Sequence, residues 1–185
     1  RQDRAVRIGR EIADLRARVE ALRGRGAAAG VQRDIDRLSL LAGTAAAAGP
    51  GVTVTLEDSP LAEEEDSADF RIQDVDLQLV VNELWTAGAE AVAVNGQRIV
   101  STSAIRSAGQ AILVNYKVLT SPYRVAAIGP RDALRDRFRR SGIAERFRTW
   151  TQVYRLRIQI DEADQVRVPA FSGSVRLRYA TPVKS

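Results

Sequence analysis

The stretch LQLVVNELWTAGAEAVAVNGQRI, from Leu77 to Ile99, leaves this chain few ways to fold. Leu77, Val80, Val81, Leu84 and Trp85 recur at three- and four-residue steps, which draws one apolar stripe along a helix. Gly88 stands where a helix C-terminus wants a residue free to take positive φ. Ala89 to Val94 follows at once as a short buried strand, and Asn95-Gly96 is a tight-turn dipeptide. On this pattern Trp85 is expected on the buried side of the helix, packed over a sheet with Leu84 and Val81. The stretch holds no nucleophile, no paired acid and base and no ligand cluster. It constrains architecture and is silent on chemistry.

Upstream, the chain opens on a heptad. Ile8, Ile12, Leu15, Val19 and Leu22 follow the a/d spacing of a two-stranded seam, with arginines and acids between them. So short a run needs a partner or a longer parent helix. It reads as a parallel dimeric stalk continuing upstream of Arg1; the alternative is one amphipathic helix lying on its own domain. Gly24, Gly26 and Gly30 interrupt the register, and Val31, Ile35, Leu38 and Ala42 resume it in a shifted phase. Gly49-Pro50-Gly51 is a stop. The division expected is a helical coiled-coil stalk over residues 1–48 and a folded domain over 49–185, with strand structure from about Val52.

VTVTLED alternates as a first strand, followed by an acid-rich loop from Glu57 to Asp69. That loop lacks the central glycine of a calcium loop and reads as a solvated, mobile segment. Asp74 is the expected N-cap of the first helix. Ala111 to Leu119 reads as a hairpin turning near Asn115 to Lys117, and Tyr123 to Gly129 as a strand. Pro130 suits the first position of a helix running to Gly142, and a second helical patch covers Ile143 to Trp150. Val153 to Asp161 alternates as a strand, and VRVPAF and SVRLRYA read as extended terminal segments. Strand, helix, strand, hairpin insertion, strand, helix and strand make an α+β fold. The expected form is a ferredoxin-like split βαβ sandwich with an added β-hairpin, preceded by the stalk.

Missing residue types narrow the chemistry. With no cysteine there is no disulfide or thiolate site, and with no histidine the commonest general base and metal ligand are gone. No enzymatic activity, metal or cofactor is expected. The chain carries a formal charge of +5 and a pI of about 10.2, which favours anionic partners without choosing one. It has no methionine, so it is expected to be a piece or mature form of a longer product. No window reaches the roughly 20 apolar residues that span a bilayer.

GPGVTVTLEDSP, LQLVVNELWTAGAEAVAVNGQRI, TSAIRSAGQAILVN and PYRVAAIG together resemble a bacterial family, the YlxW-like proteins carrying domain of unknown function 881. The resemblance covers about Gly49 to Tyr179 and is most specific in VNELWTAGAEAVAVNGQR. It implies an N-terminal membrane helix, a coiled coil and then this domain outside the cytoplasm: a single-pass cell-membrane protein linked to the envelope or to cell division. It implies no catalytic residue.

Three functions follow as expectations. The first is a non-enzymatic, membrane-anchored extracytoplasmic scaffold, weakly dimeric through Ile8, Ile12, Leu15, Val19 and Leu22, that presents its sandwich to another envelope protein. The second is a sensor-like domain for a small anionic ligand, with Arg98 or Arg106 gripping a carboxylate or phosphate beside Asn95 and Gln97. That reading requires the two arginines to be exposed and convergent; otherwise Asn95 simply supports its own turn. RNA binding comes third and is not expected. Only Tyr123 and Tyr154 offer strand aromatics for base stacking, and Arg135, Arg137, Arg139 and Arg140 spread around their helix.

Overall fold

A computed structural model describes residues 28–65 and 67–173. The expected seam from Ile8 to Leu22 and the terminal segment SVRLRYA lie outside the described residues. The chain forms two compact units, Arg1–Ala42 and Gly43–Ser185. In the first, helix α1 spans Ala28–Leu41. Val31, Ile35 and Leu38 line one stripe and are 53%, 41% and 62% exposed; Leu41, at the last turn, is 75% exposed.

The second unit is a mixed α/β domain with two antiparallel sheets. Its strands are β1 (Ala47–Glu57), β2 (Ala91–Val94), β3 (Gln97–Ile99), β4 (Ile105–Ala108), β5 (Ala111–Val114), β6 (Lys117–Leu119), β7 (Tyr123–Ile128) and β8 (Arg157–Val168). Its helices are α2 (Asp74–Thr86), α3 (Arg131–Arg139) and α4 (Gly142–Tyr154), and a 3₁₀ turn covers Ala68–Phe70. The larger sheet runs β3-β2-β7-β1-β8, and the smaller runs β4-β5-β6. Strand β7 lies between β1 and β2 and is antiparallel to both. The inserted segment is thus a three-stranded sheet of its own, one strand more than the hairpin expected.

One face of the large sheet carries the main core. Val52, Val54 and Leu56 of β1, Val92 and Val94 of β2 and Val125 of β7 are fully buried against Leu77, Val80 and Leu84 of α2, Leu134 of α3 and Phe147 of α4. Ile112, Val114 and Leu119 of the small sheet join the same cluster. On the opposite face, Ala91, Ala93, Ile128, Val166 and Val168 form a second cluster. Strand β8 serves both faces because its register with β1 shifts between Gly49 and Gly51, and a bulge sharpens the local bend.

The structure corrects several expectations. Trp85 is 37% exposed, not buried. Leu77, Val80, Val81 and Leu84 already complete the inward stripe, and position 85 lies about 40° past Val81 and about 90° from the stripe's centre, at its edge. The N-cap of α2 is Gln73 in place of Asp74: the Gln73 N–H donates to Asp76 Oδ2 at 2.8 Å in a reciprocal capping box. Asp74 instead accepts from the Ser107 N–H at 2.9 Å. Pro130 is the cap before α3 and not its first helical residue. Strand β1 begins at Ala47, ahead of Val52, since it runs through the Gly49-Pro50-Gly51 bulge. Helix α4 runs on to Tyr154, so the strand expected from Val153 starts at Arg157; Arg155, in the left-handed region at φ 59°, is the hinge. The VRV of VRVPAF is the end of that same strand.

The acid-rich loop is also partly anchored. Asp58 Oδ1 accepts from the Ile72 N–H at 2.8 Å, its own N–H donates to Ser121 Oγ at 2.9 Å, and Ser59 is buried.

Candidate functional site

The residues singled out by sequence do not converge. Arg98 is 4% exposed, on the second face of the large sheet, paired across the strand with Ala93. Its Nη1 donates to the carbonyls of Ala45 and Pro169, both at 3.4 Å. It thus ties the segment entering β1 to the segment leaving β8, and burial pulls its guanidinium below the usual arginine range. Arg106 is exposed on β4 in the other sheet, with its guanidinium 5.1 Å from the centre of the Tyr116 ring. The two arginines therefore serve different neighbours in different sheets.

Asn95 has φ 42° and Gly96 φ 75°, the paired positive angles of a type I′ hairpin turn. The Asn95 Nδ2 donates to the Pro122 carbonyl at 3.1 Å, while its Oδ1 accepts from the Arg124 N–H at 2.6 Å. That side chain holds its own turn to the start of β7. Gln97 is half-buried at the first position of β3. Of the two strand aromatics, Tyr123 is buried, with its phenol pushed up to about 12 chiefly by that burial, and Tyr154 belongs to α4.

A different set of residues makes a cleft. Where the 3₁₀ turn passes α4, Arg71, Gln73, Val75, Asp76, Arg146, Trp150, Tyr154 and Leu156 line about 380 Å³, near the lower end of small-ligand sites. Aromatic edges build its wall: Phe147 meets Trp150 with ring centres 5.2 Å apart, and Phe70 meets Tyr154 at 5.6 Å, both edge-to-face. The guanidinium of Arg146 lies 5.6 Å from the centre of the Trp150 ring, within cation–π range. Arg71 is held by donation to the Ala62 carbonyl.

Asp76 lies beneath, 3% exposed. Burial pushes its carboxyl above the usual range, against the opposing pull of the Gln73 N–H and of Arg146. A smaller cleft of about 170 Å³ opens between the same loop and the β4–β5 turn, lined by Ser67, Arg71, Gln73, Ser107 and Gln110.

The large cleft can grip an amphipathic group, apolar against Trp150, Tyr154 and Leu156 and anionic toward Arg146. Two acids line it: Asp76 accepts from the Gln73 N–H, and Asp69, in the 3₁₀ turn, is exposed at its rim. Among the described residues, no three His, Cys, Asp or Glu side chains gather as a metal site. Sequence reasoning passed over this cleft because its parts are distant in the chain. The available signal was the i, i+3, i+7 spacing of Phe147, Trp150 and Tyr154, which reads equally as core.

Comparison with known proteins places the chain. The UPF0749 protein Rv1823 of Mycobacterium tuberculosis is 40% identical over 144 residues, which cover 74% of this chain and 47% of that protein. The UPF0749 protein YlxW of Bacillus subtilis is 38% identical over 105 residues, 56% of this chain and 46% of that one. The chain thus spans about half the length of these relatives. A crystal structure of an uncharacterized conserved protein from Mycobacterium tuberculosis superposes with a TM-score of 0.63 at 28% identity, covering 81% of this chain and 99% of that one. The model of a bacterial protein family of unknown function, DUF881, matches residues 34–181, and the chain belongs to that family.

Proposed function

We propose that this protein is a non-enzymatic interaction module of the bacterial cell envelope. In this reading a membrane helix upstream of Arg1 anchors it, the domain lies outside the cytoplasm, and two copies pair weakly through the N-terminal helical segment to present their domains to another envelope protein. The observation that carries the reading is the apolar stripe of α1, where Val31, Ile35 and Leu38 stand 53%, 41% and 62% exposed. Such an exposed apolar stripe on a helix is the seam that a second helix covers. The strand order β2-β7-β1-β8 supports reading the domain as a ferredoxin-like split βαβ sandwich.

Sedimentation equilibrium tests the pairing. A concentration-dependent monomer–dimer equilibrium is expected, shifted to monomer by Ile35→Asp with Leu38→Asp and by Ile12→Asp with Val19→Asp. A strictly monomeric parent at high concentration, or a dimer indifferent to both pairs, overturns it. The location rests on the family resemblance, and protease accessibility of the tagged full-length protein in intact cells tests it.

A second reading, a sensor-like domain for a small anionic ligand, is favoured by the Arg146–Trp150 stack at the large cleft rather than by Arg98 and Arg106. A thermal-shift screen of aromatic carboxylates against the chain and Arg146→Ala tests it. A shift in the parent that the variant loses supports it, and no shift, or an equal one in both, sinks it.

A further inference from the structure

From Ala91 to Arg131 the chain has no aspartate or glutamate, although it carries 23 acids in all. Inside that acid-free span lies the whole β4-β5-β6 sheet. Its inner side sinks Ile112, Val114 and Leu119 into the core. Its outer side lines up Arg106, Leu113 and Val118 across the three strands, because Arg106 pairs with Leu113 and Leu113 with Val118. Val118 is 65% exposed and Tyr116, at the β5–β6 turn, is 80% exposed; Lys117, the first residue of β6, pairs with Val114 on the inner side but is exposed at the turn's edge. The acid bonded to this sheet, Asp74 at the far end of β4, is occupied by the Ser107 N–H.

Tyr116 is the telling residue. It takes φ 65° after Asn115 at φ 52°, the second central position of a type I′ turn, where glycine is the favoured residue and a bulky side chain is strained. Burial does not repay that strain, since the ring is 80% exposed and, among the described residues, it is Arg106 that stacks on it. A strained residue that the fold does not reward points to a use outside the fold.

We infer that the outer face and turn of this small sheet dock on an anionic phospholipid surface, with Tyr116 and Val118 entering the headgroup layer, Arg106 meeting lipid phosphates from the face and Lys117 reaching them from the edge of the turn. The sheet's own residues combine an apolar tip with cations and include no acid, and a bilayer interface offers the complementary pair, apolar chains beneath negative headgroups. Tyr suits that boundary because one end of its ring is apolar and the other wet. A groove would suit an acidic peptide, but neither cleft described above includes Tyr116, Lys117 or Val118. Two copies meeting through this face would set like charges together. The inference goes beyond the proposed assembly and does not require it.

The test is co-sedimentation of the full chain with vesicles of phosphatidylcholine alone and of equal parts phosphatidylcholine and phosphatidylglycerol, at low and high salt. Binding is expected to the anionic vesicles and to weaken with salt. Arg106→Glu with Lys117→Glu should lower it by about tenfold or more, whereas Arg139→Glu with Arg140→Glu at the C-terminal end of α3 should leave it within about twofold. Tyr116→Gly separates the role from folding, because it relieves the turn: its Tm should match or exceed the parent's while vesicle binding falls. Absence of binding at low salt, equal binding to both vesicles, equal loss in the α3 control, or full binding by Tyr116→Gly would each overturn the inference. So would polyglutamate capturing the chain while anionic vesicles do not.

Discussion

Gly51→Ala should be among the most damaging single changes in the domain, for a steric reason rather than a conformational one. Gly51 pairs with Ile128 of β7 and Ala163 of β8, just past the shift in register. A Cβ built there would lie 2.0 Å from the Ala127 carbonyl oxygen and 3.0 Å from the Ala127 carbonyl carbon. At a regular position Cβ stands out of the sheet; here the bulge has turned that direction into the plane of the neighbouring strand. A carbon meets a carbonyl oxygen at about 3.3 Å or more, so β1 and β7 must part by about 1.3 Å. Bonds near 2.9 Å, such as Gly129 N–H to the Pro50 carbonyl, would then leave hydrogen-bonding range.

Two lost ladder bonds at about 1 kcal/mol each, with one buried group left unpaired at about 1–3 kcal/mol, total about 3–5 kcal/mol. In a domain of this size that lowers Tm by about 10 °C or more. The comparison is Gly96→Ala, which has φ 75° but nothing within 4 Å of the added carbon; it should cost only about 1 kcal/mol. Urea melts followed by circular dichroism measure both. If the two midpoints agree, β1 and β7 do not approach as described.

Further outcomes follow from burial and charge. Leu84 is fully buried and Trp85 is 37% exposed, so Leu84→Ala should cost about 2–5 kcal/mol and Trp85→Ala less, despite the larger side chain removed; the reverse order in denaturant midpoints would return Trp85 to the core. Burial raises the carboxyls of Asp58 and Asp76 above their ordinary 3.8, so the folded state holds protons that the unfolded chain has released. Their contribution to stability therefore falls as the pH rises from about 3.8 through the folded-state values. Asp76→Asn keeps an acceptor for the Gln73 N–H and removes one titration, so its midpoint should drop less over that interval than the parent's; an equal or steeper drop refutes the assignment. Tyr123, with its phenol raised to about 12, should behave alike at the other end: stability falls between about pH 10 and 12, and less so in Tyr123→Phe.

Periodicity and turn chemistry determined much of this protein from sequence alone. The stripe of α2, the Asn95-Gly96 turn and the hairpin turn at Asn115 were legible because each depends on neighbours within a few residues. So was the family, carried by a continuous block around Val81 to Arg98. The exposure of Trp85 was not legible: a five-residue apolar stripe is wider than the surface available to bury it, and the sheet decides which residue is left out. Arg98 and Arg106 read alike in sequence, yet one became a buried tie between Ala45 and Pro169 and the other an exposed partner of Tyr116. Tertiary structure alone brought Arg71 and Gln73 against Arg146, Trp150 and Tyr154, because a cleft is made by packing distant elements and no local pattern encodes which surfaces will meet.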